Sequence, residues 1–149
     1  MENMQIKRLF PNCFPDEIQK TIRDIAYEEE IDSYRVCRWG KVDKQAFLST
    51  YEEYTQGLIT IRDSINYDDV GTYSTSVYEK RRDIKRIYKL IHRPNRNPEA
   101  IVIKIKTMPQ CGLVQRSSER DDRRNSHIDW WIYEDAQPYK YPYEEVSME

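Results

Sequence analysis

Gly71-Thr72-Tyr73-Ser74-Thr75-Ser76-Val77-Tyr78-Glu79 is the stretch whose reading decides the fold. Its aromatic and β-branched residues predict a strand near 72–76. The run from Val77 to Ile91 predicts a helix, with Val77, Ile84, Ile87, Tyr88 and Ile91 inward and Lys80, Arg81, Lys85 and Lys89 mainly outside that stripe. A Ser or Thr at the junction can cap that helix, because a hydroxyl accepts from an unpaired backbone N–H. Alternatively, Ser74 and Ser76 point together into a cleft, since alternate strand residues share a face.

Working outward, Pro15 to Glu29 predicts a first helix: Phe14, Ile18, Ile22, Ile25 and Ala26 recur at helical spacing, with Asp16 and Glu17 in the first turn. Glu28, Glu29, Glu30 and Asp32 then fall at its C-terminus, where acids are unfavourable, and their expected counterpart is the basic segment downstream. Ser33 to Trp39 predicts a strand with Tyr34, Val36 and Arg38 on one face and Arg35, Cys37 and Trp39 on the other. Asp43 is placed to cap a helix running to Gly57, with Val42 and Phe47 at staple spacing. Leu58 to Ile65 fits strand or helix. Ala100 to Lys106 alternates as a half-buried strand, Leu113 to Arg116 fits a short one, and His127 to Tyr133 an aromatic one. Ser117 to Ser126, rich in both charges, reads as a solvated loop.

These elements make an α+β fold: one domain over 1–149, with a mostly antiparallel or split sheet and about three packed helices. Residues 1–32 form a helical lead-in, 33–135 the core and 136–149 a tail. The 12% aromatic content argues against disorder despite 34% charged residues. No apolar run approaches the ~20 residues that span a bilayer, and Met1 to Phe10 lacks a signal-peptide core, so a cytoplasmic protein without membrane contact is expected. Cys13, Cys37 and Cys111 are widely spaced, which predicts buried free thiols and no metal site. Residues 80–106 hold ten Lys/Arg against Asp83 and Glu99, a net of +8, so with −2 overall the remainder carries −10. A nucleic-acid partner would use that segment, although the overall acidity argues against it.

No Walker loop, GxGxxG, HExxH or GxSxG is present. Trp130 and Trp131 read as core and rim residues rather than as base-stacking platforms. Three features nevertheless come in a definite order: an arginine in Tyr34-Arg35-Val36-Cys37-Arg38, the sequence Tyr73-Ser74-Thr75-Ser76, and a late strand opening His127-Ile128-Asp129. Over roughly residues 33 to 135 this order resembles the ADP-ribosyltransferase fold family, whose arginine-class members carry Arg on a first strand, a Ser-Thr-Ser strand and Glu-x-Glu on a late strand. The resemblance implies that Arg35 or Arg38 holds the phosphates of NAD. It implies that Tyr73, Ser74, Thr75 and Ser76 shape a nicotinamide pocket, and that Asp129, with His127, takes the catalytic place beside the ribose. A guanidinium fork suits pyrophosphate, and a carboxylate suits an oxocarbenium-like transition state. The departure is His127-x-Asp129 in place of Glu-x-Glu, one methylene shorter at the second position.

Ser74, Ser76 and one of Arg35 and Arg38 are therefore expected to line one cleft, with His127 and Asp129 on a common face. A buried Asp129 would need a paired donor, and the nearby arginines are the candidates. The reading from the other class is a small non-enzymatic inhibitory or immunity-type interaction protein of a phage or other mobile element, binding a protein partner through its tyrosines.

Overall fold

The computed structural model describes residues 8–60, 65–122 and 124–148. Six strands are each too short to be stable alone and are held by their neighbours: β1 (Asp32–Cys37), β2 (Thr75–Tyr78), β3 (Ile101–Lys106), β4 (Gly112–Arg116), β5 (His127–Ile132) and β6 (Tyr143–Val146). They form one sheet in the order β4-β5-β2-β1-β3-β6 with every pairing antiparallel. With the helices α1 (Asp16–Ile25), α2 (Thr50–Thr55) and α3 (Arg81–Ile91), the fold is α+β in a single small domain. Among the described residues no helix is long and apolar enough to cross a membrane.

The sheet has a seam. β1 and β3 are in register over six residue pairs, whereas β1 and β2 meet only at Tyr34↔Tyr78. Arg35 fills part of the gap by donating from Nη1 to the Ser76 carbonyl at 2.9 Å. Gly40, at φ 75°, turns the chain out of β1 within reach of the Glu99 carbonyl, which a Cβ would meet at 2.6 Å.

Both faces of the sheet are covered. On one, Cys37, Val77, Ile103, Ile105, Ile128 and Trp130 pack with Ala46 and Phe47. On the other, α3 sets Ile84, Ile87, Tyr88 and Ile91 against Val36, Tyr78 and Val102. Further along that second face, Ile18 and Ile22 of α1 join Phe10, Phe14, Tyr73 and Trp131. A ten-residue helix is marginal in isolation. Burying Ile18 and Ile22 contributes about 1.5–3 kcal/mol each, enough to hold α1 in place. Trp130 and Trp131 both lie in the core, on opposite faces.

Several boundaries move from their sequence expectation. β2 begins at Thr75 and continues through Val77 and Tyr78, which pair with Ile128 and His127, so α3 starts only at Arg81. Tertiary pairing overrides the helical periodicity there, Val77 lies in the sheet core, and no hydroxyl of the 74–76 run caps α3. The Val70–Tyr73 segment is a 3₁₀ turn instead of strand. The helix expected from Asp43 to Gly57 is broken: Asp43 caps a 3₁₀ turn over Lys44–Phe47, Leu48 is extended, and Ser49 with Glu52 forms the capping box that starts α2. α1 stops at Ile25 because Tyr27 pairs with Val114 of β4. The acidic residues after it therefore lie outside the helix, Glu29 against Arg116 and Glu30 against Lys106. The Leu58 to Ile65 reading falls partly outside the described residues. β6, an edge strand, was not anticipated by alternation in the tail. Of the thiols, Cys37 and Cys111 are buried, each pushed by burial up to about 11, whereas Cys13 is exposed.

Candidate functional site

β2 and β5 pair with Ser76 opposite Asp129 and Tyr78 opposite His127. Paired residues share a face, so Ser74 and Ser76 stand beside His127 and Asp129 on the helix-covered side, between the α1 and α3 clusters. This part of the expectation is what the register places together. Ser117, in the 3₁₀ turn after β4, enters the same group.

The hydrogen bonds form one chain. Ser74 Oγ donates to Asp129 Oδ1 at 2.6 Å, and Ser117 Oγ donates to Asp129 Oδ2 at 2.7 Å. Arg120 Nη2 donates to the same Oδ2 at 2.7 Å. Ser117 Oγ also meets His127 Nδ1, and His127 Nε2 lies 2.8 Å from Ser76 Oγ. An ionised carboxylate only accepts, and Ser117 has one hydroxyl proton, which Asp129 takes. His127 must then donate from Nδ1. Nε2 then accepts the Ser76 hydroxyl if the ring is neutral and donates to the Ser76 oxygen if it is protonated, and in both cases Ser76 is the outward-facing end. Ser76 is half-buried, whereas Ser74, Ser117, His127 and Asp129 are buried.

Burial pushes the Asp129 carboxyl up. The His127 ring and the hydrogen bonds from Ser74, Arg120 and Ser117 outweigh it and hold the carboxyl below the usual range. Asp129 is thus an ionised, 1% exposed carboxylate with three donors. Arg120 supplies the donor that a buried charge requires. The 117–126 segment is accordingly not a purely solvated loop. Arg116, too, is committed, to Glu29 and Glu79 at 2.8 and 2.7 Å.

Arg35 is not in this group. Its side chain lies on the opposite face of the sheet, donating from Nε to the Ala46 carbonyl at 3.0 Å and from Nη1 to the Ser76 carbonyl. Arg38, past the end of β1 in the turn, escapes strand alternation and converges with Arg35 on Glu53 of α2, at 3.4 and 3.9 Å. Burial lowers the Arg38 value, Glu53 opposes that, and Arg35 adds to it. The expected single cleft holding an arginine and both serines is therefore corrected: the short strand β2 presents its serines to one face while the arginines of the β1 end gather on the other. Thr75, between the serines, points with Arg35 and donates to the Phe47 carbonyl at 2.7 Å. Tyr73 is core, its hydroxyl bonded to the Tyr67 carbonyl. Thr75 and Tyr73 thus hold the scaffold.

Glu53, Ser117 and Arg120 were not singled out from the sequence. Glu53 sits inside the helical run Thr50–Thr55 with no local signal. The signal for Arg120 was the need of a buried Asp129 for a donor, without an address for it. A groove of about 430 Å³ lies elsewhere, lined by Cys13, Lys44, Phe47, Glu52 and Tyr139 among others, and touches none of the array residues. Among the described residues no group of three or more His, Cys, Asp or Glu is placed to hold a metal ion. Comparison of the chain with family models, with curated proteins and with solved structures finds no match in any of the three.

Proposed function

We propose that the chain is an ADP-ribosyltransferase-like protein that binds NAD or a related nucleotide without transferring ADP-ribose. One observation carries the reading. The arginine, Ser-Thr-Ser and His-x-Asp elements, spread over residues 35 to 129, occupy the three adjacent strands β1, β2 and β5, with Ser74 bonded to Asp129 at 2.6 Å. That is the order in which the resemblance sets the phosphate-holding, nicotinamide-shaping and ribose-facing elements.

The residues fit the nucleotide in part. Ser76 Oγ and the His127 Nε2 behind it offer a polar contact at the outward end of the array. Neither arginine joins that contact: Arg35 is bound to two carbonyls, and Arg38 lies with it beside Glu53 on the opposite face of the sheet. NAD, when bound, supplies an activated glycosidic bond to nicotinamide. Asp129 does not fit the role of stabilising its cleavage, because its oxygens already accept three hydrogen bonds in a site closed to solvent. Opening it would expose an unpaired Arg120 and buried hydroxyls. The same closure supports, as the second reading, a non-enzymatic interaction protein.

Thermal unfolding with increasing NAD or ADP-ribose separates the two. Binding to the folded state alone stabilises by about 2.7 kcal/mol at a hundred times Kd. The expected result is a concentration-dependent rise in Tm with both nucleotides, lost in Ser76→Ala, and no nicotinamide released. No rise with either nucleotide overturns the nucleotide reading in favour of the interaction protein. Released nicotinamide overturns the absence of transfer.

A further inference from the structure

We infer that the outer face of α3, with the turn after it, is a docking surface for the phosphate backbone of a nucleic acid. α3 buries Ile84, Ile87, Tyr88 and Ile91 against the sheet. At 100° per residue the opposite side carries Arg82, Lys85, Arg86 and Lys89, spaced i, i+3, i+4, i+7. Arg82, Arg86 and Lys89 are exposed, as are Arg93 and Arg96 in the turn that follows, and Lys85 is half-buried.

The stripe is not neutralised within the chain. Among the described residues none of Lys85, Arg86, Lys89, Arg93 and Arg96 has a carboxylate within 4 Å. Arg82 has only its neighbour Asp83 at 4.0 Å, and Asp83 is itself buried and accepts from the backbone and hydroxyl of Ser126. Exposed Glu99 is the one other acid between residues 80 and 99. Like charges three and four apart destabilise a helix by a few tenths of a kcal/mol per pair, so this arrangement opposes folding in the free chain, and a polyanion would relieve it. At 1.5 Å rise per residue, Arg82 to Lys89 spans roughly 10 Å, enough to meet successive phosphates of one strand. Arg96, exposed in the turn after α3, is close enough to Arg38 to help lower its value.

A membrane surface fits less well. An interfacial helix inserts its apolar face, and that of α3 is already covered by Val36, Tyr78 and Val102, leaving Leu90 as the large apolar side chain it exposes. Arginine, the majority of these cations, favours bidentate phosphate contact.

The inference stands apart from the nucleotide reading, using other residues and another ligand. The test is fluorescence anisotropy with labelled RNA and DNA oligonucleotides of about 20 nucleotides, titrated between about 50 and 200 mM salt. The expected result is binding that weakens with salt and that millimolar NAD does not displace. The triple variant Arg82→Gln, Arg86→Gln, Lys89→Gln should bind at least tenfold more weakly, with the log–log salt slope reduced by about two to three. Its Tm should be unchanged or slightly higher, which separates lost contacts from lost fold. No binding at low salt, or equal binding by the triple variant, overturns the proposal. Equal binding to polyglutamate or to phosphatidylserine vesicles overturns it as well, since charge alone would then account for the attraction. Displacement by NAD would move the contact to the nucleotide site and overturn it too.

Discussion

Asp129 and Glu53 are both buried carboxylates facing arginine, 1% and 3% exposed, yet they are held in opposite ways. Asp129 takes hydrogen bonds of 2.6 and 2.7 Å from Ser74, Ser117 and Arg120. Glu53 has two arginines at 3.4 and 3.9 Å, and its Oε2 makes no hydrogen bond. The first is a closed network in which charge, donor count and geometry match. The second is a loose ion cluster in which Arg35 is pinned elsewhere, on the carbonyls of Ala46 and Ser76. The difference teaches that the residue in the catalytic place of the resemblance is the one least free to act, while the arginine cluster retains spare hydrogen-bonding capacity.

Asp129→Ala is the largest test of this contrast. It leaves Arg120 and the hydroxyls of Ser74 and Ser117 without that acceptor, and urea unfolding should show a loss of about 3–5 kcal/mol. A loss under about 1 kcal/mol would mean the network is not closed. Glu53→Gln should cost less, about 1–3 kcal/mol, because Arg35 keeps its carbonyl partners and only a weakly bonded charge is removed. If Glu53→Gln proves the costlier, the ranking of the two clusters is reversed.

Acid sharpens the comparison further. The folded Asp129 value is depressed, so the stability it contributes is present above the ordinary carboxylate value of about 3.9 and is lost as pH falls through the lower folded value. The wild type should therefore lose stability below pH of about 4 more steeply than Asp129→Asn, whose side chain does not titrate. Parallel pH profiles would show that Asp129 is not held ionised. The smallest effect belongs to Ser76→Ala: without ligand, at the half-buried end of the chain, it should change stability by no more than about 1 kcal/mol.

The parts legible in the sequence were those with a local period. Ile101, Ile103 and Ile105 alternate and do line one face of β3, and Ile84, Ile87, Tyr88 and Ile91 do form the inner stripe of α3. His127 and Asp129, two apart on a strand, share a face because the pleat requires it. Val77 and Tyr78 fit a helix start as well as a strand, and nothing local separates the two.

By itself the sequence determined the α+β class, the inner face of α3, the alternation of β3 and β5, and the placing of His127 with Asp129 on one face, because backbone periodicity is a short-range property. The tertiary structure alone decided that β2 lies between β5 and β1, that Val77 and Tyr78 extend it, that Arg120 neutralises Asp129, and that Arg35 turns away to the other face. Those outcomes depend on contacts between residues far apart in the chain. They are fixed by which strands pair and in what register, where a shift of one residue would exchange the two faces.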